Sequence, residues 1–184
     1  SNPAAPVQGQ RLHVPGGEEA HGVHVSRNYA YVCDTIANSY TNTLKIFDVS
    51  NPAAPVWLTT LETREWTENV VAVGNYAYLA NREGGLKIID MTTPAQAEIV
   101  GHFPSDDRTT IVTVRDNLAY MADRGGGAII VDVSNPASPV EISRIDTVYP
   151  YGLELGENGK ILYVADYHMV SKPSTFQIPP TPSR

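Results

Sequence analysis

A five-residue string occurs three times in this chain at a fixed interval. Leu44-Lys45-Ile46-Phe47-Asp48, Leu86-Lys87-Ile88-Ile89-Asp90 and Ala128-Ile129-Ile130-Val131-Asp132 place their aspartates 42 residues apart. Each string runs into a proline turn, at Ser50-Asn51-Pro52, Thr92-Thr93-Pro94 and Ser134-Asn135-Pro136. A period of roughly 20–50 residues marks a repeat architecture, in which one small unit buries its apolar surface only by stacking on the next. That constraint outranks any reading of a single residue.

A second block precedes each string: Asn28-Tyr29-Ala30-Tyr31, Asn75-Tyr76-Ala77-Tyr78, Asn117-Leu118-Ala119-Tyr120 and, more loosely, Lys160-Ile161-Leu162-Tyr163. A small residue and a polar one follow soon after, Cys33-Asp34, Ala80-Asn81, Ala122-Asp123 and Ala165-Asp166. Upstream stands an alternating apolar pair, Val23/Val25, Val71/Val73, Val112/Val114 and Leu153/Leu155. Period-two alternation of aromatic and β-branched residues between Gly, Asn and Pro turns predicts strands, and no helical period competes. Each unit therefore reads as four strands. The Val-x-Val segment comes first, the Tyr-Ala-Tyr block second and the repeated string third. A segment after the proline turn is fourth (Val56–Leu61, Glu98–Phe103, Val140–Ile145). Strands two and three are apolar on both faces, so each sheet must lie between two others. Four-stranded antiparallel units of this length, stacked face to face, are the blades of a β-propeller, an all-β fold.

These residues resemble the LVIVD-repeat family, which is named for the string at 44–48, 86–90 and 128–132. The upstream Asn-Tyr-Ala-Tyr block and the downstream Ser-Asn-Pro-Ala-x-Pro-Val turn belong to the same pattern, and the resemblance covers nearly the whole chain. It implies a β-propeller, usually on secreted or cell-surface proteins of bacteria and archaea. It implies no catalytic residues.

The expected units span roughly 22–63, 70–103, 111–145 and 152–178, in a single propeller domain or propeller segment. The last has a degenerate third strand at Thr175–Ile178, and residues 1–14 could supply its fourth strand and close a ring of about four blades. A segment of a larger propeller, or half of a ring completed by a second chain, fits the same count.

Composition narrows the partners. Acidic residues outnumber basic ones by 20 to 13, giving a net charge of −7, and a surface of that sign repels phosphate backbones. Nucleic acid is not an expected partner, and no apolar run reaches the length of a membrane span. One cysteine excludes an internal disulfide framework. Cys33, in a slot otherwise held by alanine, reads as a small buried residue rather than a nucleophile. Asp48, Asp90 and Asp132 each stand two residues before Ser or Thr and four before Pro, where a carboxylate can accept backbone N–H groups and fix the turn.

Specificity on a repeat scaffold belongs where the repeats disagree, on the loops at one rim. The strand-four-to-one connections carry Glu19 and His21, then Trp66, Glu68 and Asn69, then Asp107 and Arg108, then Tyr149 and Tyr151. The strand-two-to-three connections carry Arg82, Arg124, Tyr167 and His168, and an insertion at Ile36–Thr43 lengthens one of them. Glu19 and His21 share a strand face, where they could meet one ion or act as acid and base. The favoured expectation is a non-catalytic scaffold, extracellular or on the cell surface, binding a protein or a surface glycan at the rim without a cofactor. The first alternative is a propeller hydrolase or lyase using Glu19, Glu68 and Asp107 with calcium or another divalent ion. The second is an architectural subunit of a surface or filament assembly, for which a homo-oligomer or flanking domains would be natural.

Overall fold

The computed structural model describes residues 19–35 and 41–167, together with the backbone of 174–177. Fifteen strands are described, in four antiparallel sheets whose strand order follows the chain. The first sheet holds β1 (Glu19–Ser26), β2 (Tyr29–Thr35), β3 (Asn42–Asp48) and β4 (Val56–Arg64). The second holds β5 (Asn69–Val73), β6 (Tyr76–Ala80), β7 (Leu86–Asp90) and β8 (Glu98–Phe103). In the third are β9 (Thr109–Arg115), β10 (Leu118–Asp123), β11 (Gly127–Asp132) and β12 (Val140–Ile145). The fourth has three described strands, β13 (Pro150–Leu155), β14 (Ile161–Asp166) and β15 (Ser174–Gln177). The fourth strand expected from residues 1–14 lies outside the described residues.

The turns repeat as closely as the strands. Asp48, Asp90 and Asp132 each accept the backbone N–H two residues on, at 2.8, 2.7 and 2.8 Å. The residue after each aspartate donates its N–H to the carbonyl of the turn asparagine just before strand two, Val49 to Asn28, Met91 to Asn75 and Val133 to Asn117. The string and the Asn-Tyr block are thus two ends of one fastening. Between β9 and β10 the hairpin is a two-residue turn with positive φ at both Asp116 (51°) and Asn117 (63°), the geometry that matches strand twist. The second unit replaces Ser-Asn-Pro by Thr-Thr-Pro and forms one 3₁₀ turn, Pro94–Gln96.

Three apolar layers join the sheets. Tyr31, Cys33, Leu44 and Ile46 of the first meet Val70, Ala72 and Leu79 of the second. Tyr78, Ala80, Leu86 and Ile88 then face Val112, Met121 and Ile129 of the third. Tyr120, Ala122 and Ile130 face Leu153, Leu162 and Val164 of the fourth. The first strands of successive sheets, β1, β5, β9 and β13, lie side by side, each touching the next.

In the second unit the buried upstream pair is Val70/Ala72 rather than the predicted Val71/Val73. Val70 pairs with Leu79 as Val112 pairs with Met121, and a shift of one residue turns a strand's apolar set to the other face. The run Val70-Val71-Ala72-Val73 is apolar at every position, so its alternation fits either register. The expected insertion loop also ends earlier than read, because Asn42 and Thr43 are buried residues of β3 paired with Thr35 and Asp34. Residues 36–40 are not among the described ones.

Candidate functional site

At one end of the sheets, the polar residue that closes strand two ties the neighbouring loops together. Asp34 takes Lys45 Nζ at 2.5 Å, with both side chains buried. Asn81 donates to Glu65 O at 2.6 Å and Thr67 Oγ1 at 2.8 Å. Asp123 accepts from Ser105 Oγ, from Thr109 Oγ1 at 3.3 Å and from the N–H groups of Gly125 and Gly126 at 3.1 and 2.9 Å. Asp166 accepts Val148 N–H at 2.8 Å. The next residue in each of the last three units is therefore held at the mouth between sheets, and it is Arg82, Arg124 or Tyr167. Arg124 N–H donates to Arg108 O and Tyr167 N–H to Tyr149 O, which lock strand two of each unit to its own strand-one entry.

A cavity of about 260 Å³ opens there. Arg82, Arg108 and Arg124 line it with Glu68 and Tyr151, and Thr110 and Ile111 of β9 complete the wall. Arg82 Nε donates to Glu68 Oε1 at 2.6 Å, and its guanidinium lies 4.4 Å from the Trp66 ring centre. Trp66 in turn meets His21, ring centres 4.6 Å apart. Arg108 Nε donates to Glu83 Oε1 at 2.8 Å. Arg124 instead lies over Tyr149 and Tyr151, at 4.8 and 4.6 Å, and donates to the Tyr151 hydroxyl. Tyr149, Tyr151 and Tyr167 form one aromatic group with ring centres 5.7–6.3 Å apart.

Of the residues expected at the rim, Glu68, Arg108 and Tyr151 line this cavity, while Trp66, Tyr149, Tyr167 and His21 reach it through ring contacts. Asn69 does not. Its Oδ1 accepts Val112 N–H at 3.1 Å, so it bonds the second sheet to the third. Asp107 lies outside the lining, with its N–H on Ser105 Oγ. Glu19 Oε2 stands 3.9 Å from His21 Nε2, and His168 falls outside the described residues. The acids Glu19, Glu68 and Asp107 are not gathered at one point, and no group of three metal-ligating side chains occurs among the described residues. Arg82 and Arg124 were legible as rim residues, yet nothing singled them out. The available signal was register, since both follow the fastening residue of strand two.

Cys33 is fully buried, and burial pushes its thiol up to about 12, against the lowering effect of a backbone hydrogen bond at Gly22. It is a packing residue.

Stacked antiparallel sheets of repeated sequence, with a divergent rim at one end, define a β-propeller scaffold of about four blades. The LVIVD repeat model matches residues 17–63, 66–103 and 108–147, more than half of the sequence. The chain belongs to the LVIVD-repeat family. No curated protein matches it in sequence. Among solved structures it is similar to the computationally designed Ika4 protein, at TM-score 0.71 and 13% identity, over 94% of this chain and all of that one. It is also similar to the computationally designed Ika8 protein, at TM-score 0.66 and 10% identity, over 86% of this chain and 46% of that one. At such identities the likeness concerns the fold alone.

Proposed function

We propose that this chain is a non-catalytic binding scaffold of a secreted or cell-surface protein. Its partner, a protein or a surface glycan, would dock on the rim that carries Arg82, Arg108, Arg124 and the tyrosine group. One observation carries the reading. The positions that repeat are spent on packing and turn fastening, whereas positions that differ between units are drawn from three sheets to one mouth. Low lysine content and the family resemblance support the extracellular placement. The hydrolase reading draws no comparable support, because Glu68 is held by Arg82 and Cys33 is buried as a thiol.

The test compares the two ends of the molecule. Arg82→Glu with Arg124→Glu alters the mouth. Arg27→Glu alters a second cavity, of about 390 Å³, lined by Arg27, Asn75 and Tyr76 beside the strand-one-to-two turns. Retention of surface proteins and glycans on immobilised protein should fall for the first variant and stay unchanged for the second. Equal loss in both, or turnover of a glycoside or ester substrate by the wild type, would sink the scaffold reading.

A further inference from the structure

We infer that the mouth cavity binds a carboxylated sugar, such as a uronic acid residue of an acidic glycan. This inference deepens the scaffold reading by naming a ligand class for the same rim. Three guanidiniums line one cavity, but two of the carboxylates that serve them, Glu68 and Glu83, are already paired with Arg82 and Arg108. Among the described residues Arg124 has no carboxylate partner: its Nη2 is on the Tyr151 hydroxyl and its buried Nε–H has no acceptor, so its charge is met only by tyrosine rings and a hydroxyl. The protein as a whole carries −7, so a local excess of positive charge at a concave site runs against the global balance. Like charges held together at a concave site are stabilised when an anion arrives, and a planar guanidinium suits the two oxygens of a carboxylate.

The walls select the rest of the ligand. Tyr151 lines the cavity under the Arg124 guanidinium, and Tyr167, exposed with its ring centre 6.0 Å from that of Tyr151, offers at the edge of the tyrosine group a flat apolar surface on which the C–H face of a sugar ring can lie. Thr110 adds a hydroxyl to the lining. About 260 Å³ admits one sugar ring and lies below the usual range for drug-sized ligands. An extended acidic peptide would use the charge but leave the concave volume unfilled.

Calorimetric titration of the whole chain decides it, with glucuronate, galacturonate, glucose, inorganic phosphate and a triglutamate peptide as probes. A uronate should bind saturably, with glucose showing no heat. Arg124→Gln should weaken uronate binding by about tenfold or more, the range expected for one charge-assisted contact. Arg124→Lys, which keeps the charge without the planar fork, should fall between the two. An unchanged thermal midpoint in the two variants, read separately, establishes that they fold. Equal binding of glucose, phosphate or triglutamate at or above uronate affinity, no uronate binding, or an indifferent Arg124→Gln would each overturn the inference. The scaffold reading would survive those results if rim variants still lost partner retention, so the two failures are separable.

Discussion

At the residue scale, the repeated aspartates are fasteners whose chemistry can be read by pH. The carboxyls of Asp48 and Asp90 sit below the ordinary range, held there by hydrogen bonds from the side chain and backbone N–H of Ser50 and of Thr92. A depressed folded-state value means the contribution is complete above the unfolded value, near pH 4, and is lost as pH falls through the folded one. Asp90→Ala should lower the denaturation midpoint at pH 7 and lower it less at pH 2. A loss of equal size at both values would remove the turn-fastening role. Cys33 gives a second check. With its thiol pushed up to about 12 by burial, it should resist a thiol reagent in the native state at pH 8 and react within seconds in denaturant. Native reactivity at the rate of a free thiol would contradict its packing between the first two sheets.

At the element scale, strand two shows what a neighbouring sheet contributes. Tyr31, Tyr78 and Tyr120 are 4%, 5% and 3% exposed, whereas Tyr163 in the equivalent position is 39% exposed. Burial also pushes the hydroxyls of the first three up. Tyr120→Ala should cost about 3–5 kcal/mol, as for other large aromatic truncations, and Tyr163→Ala less than about half of that. Equal costs by chemical denaturation would mean that Tyr163 has a covering partner in solution. Within the first sheet, Lys45 and Asp34 form a buried ion pair at a site where the third sheet carries Ile129. Asp34→Ala alone should cost about 3–5 kcal/mol by stranding a buried ammonium, and adding Lys45→Ile should recover most of it. Additive losses in that cycle would show that the two side chains act independently.

At the scale of the whole molecule, the layers are unequal. Val70 and Val112 are each 1% exposed against the preceding sheet, while Val23, in the same register on β1, is 68% exposed and Val25 is 60% exposed. Among the described residues no apolar cluster joins the fourth sheet to the first. A stack of repeats is stabilised by each unit and by each interface, so the units covered on both faces should open last. Amide exchange should be slowest in β6, β7, β10 and β11, and faster in β1, β2, β13 and β14. Uniform protection across all four sheets would instead indicate a packed fourth interface.

The repeat period by itself determined the strands, the turns and the propeller, because each depends on residues a few positions apart and recurs three or four times. Where one unit was ambiguous in isolation, as with three valines at 69–73, the local pattern chose the wrong face and pairing with Leu79 decided it. Only the tertiary structure could say which rim residues share a site. Glu68 with Arg82, Glu83 with Arg108 and Arg124 with Tyr151 are joined across 14, 25 and 27 residues of chain. No local spacing encodes which guanidinium is left without an acid. That imbalance arises from the stacking of sheets, which brings unrelated loops to one mouth.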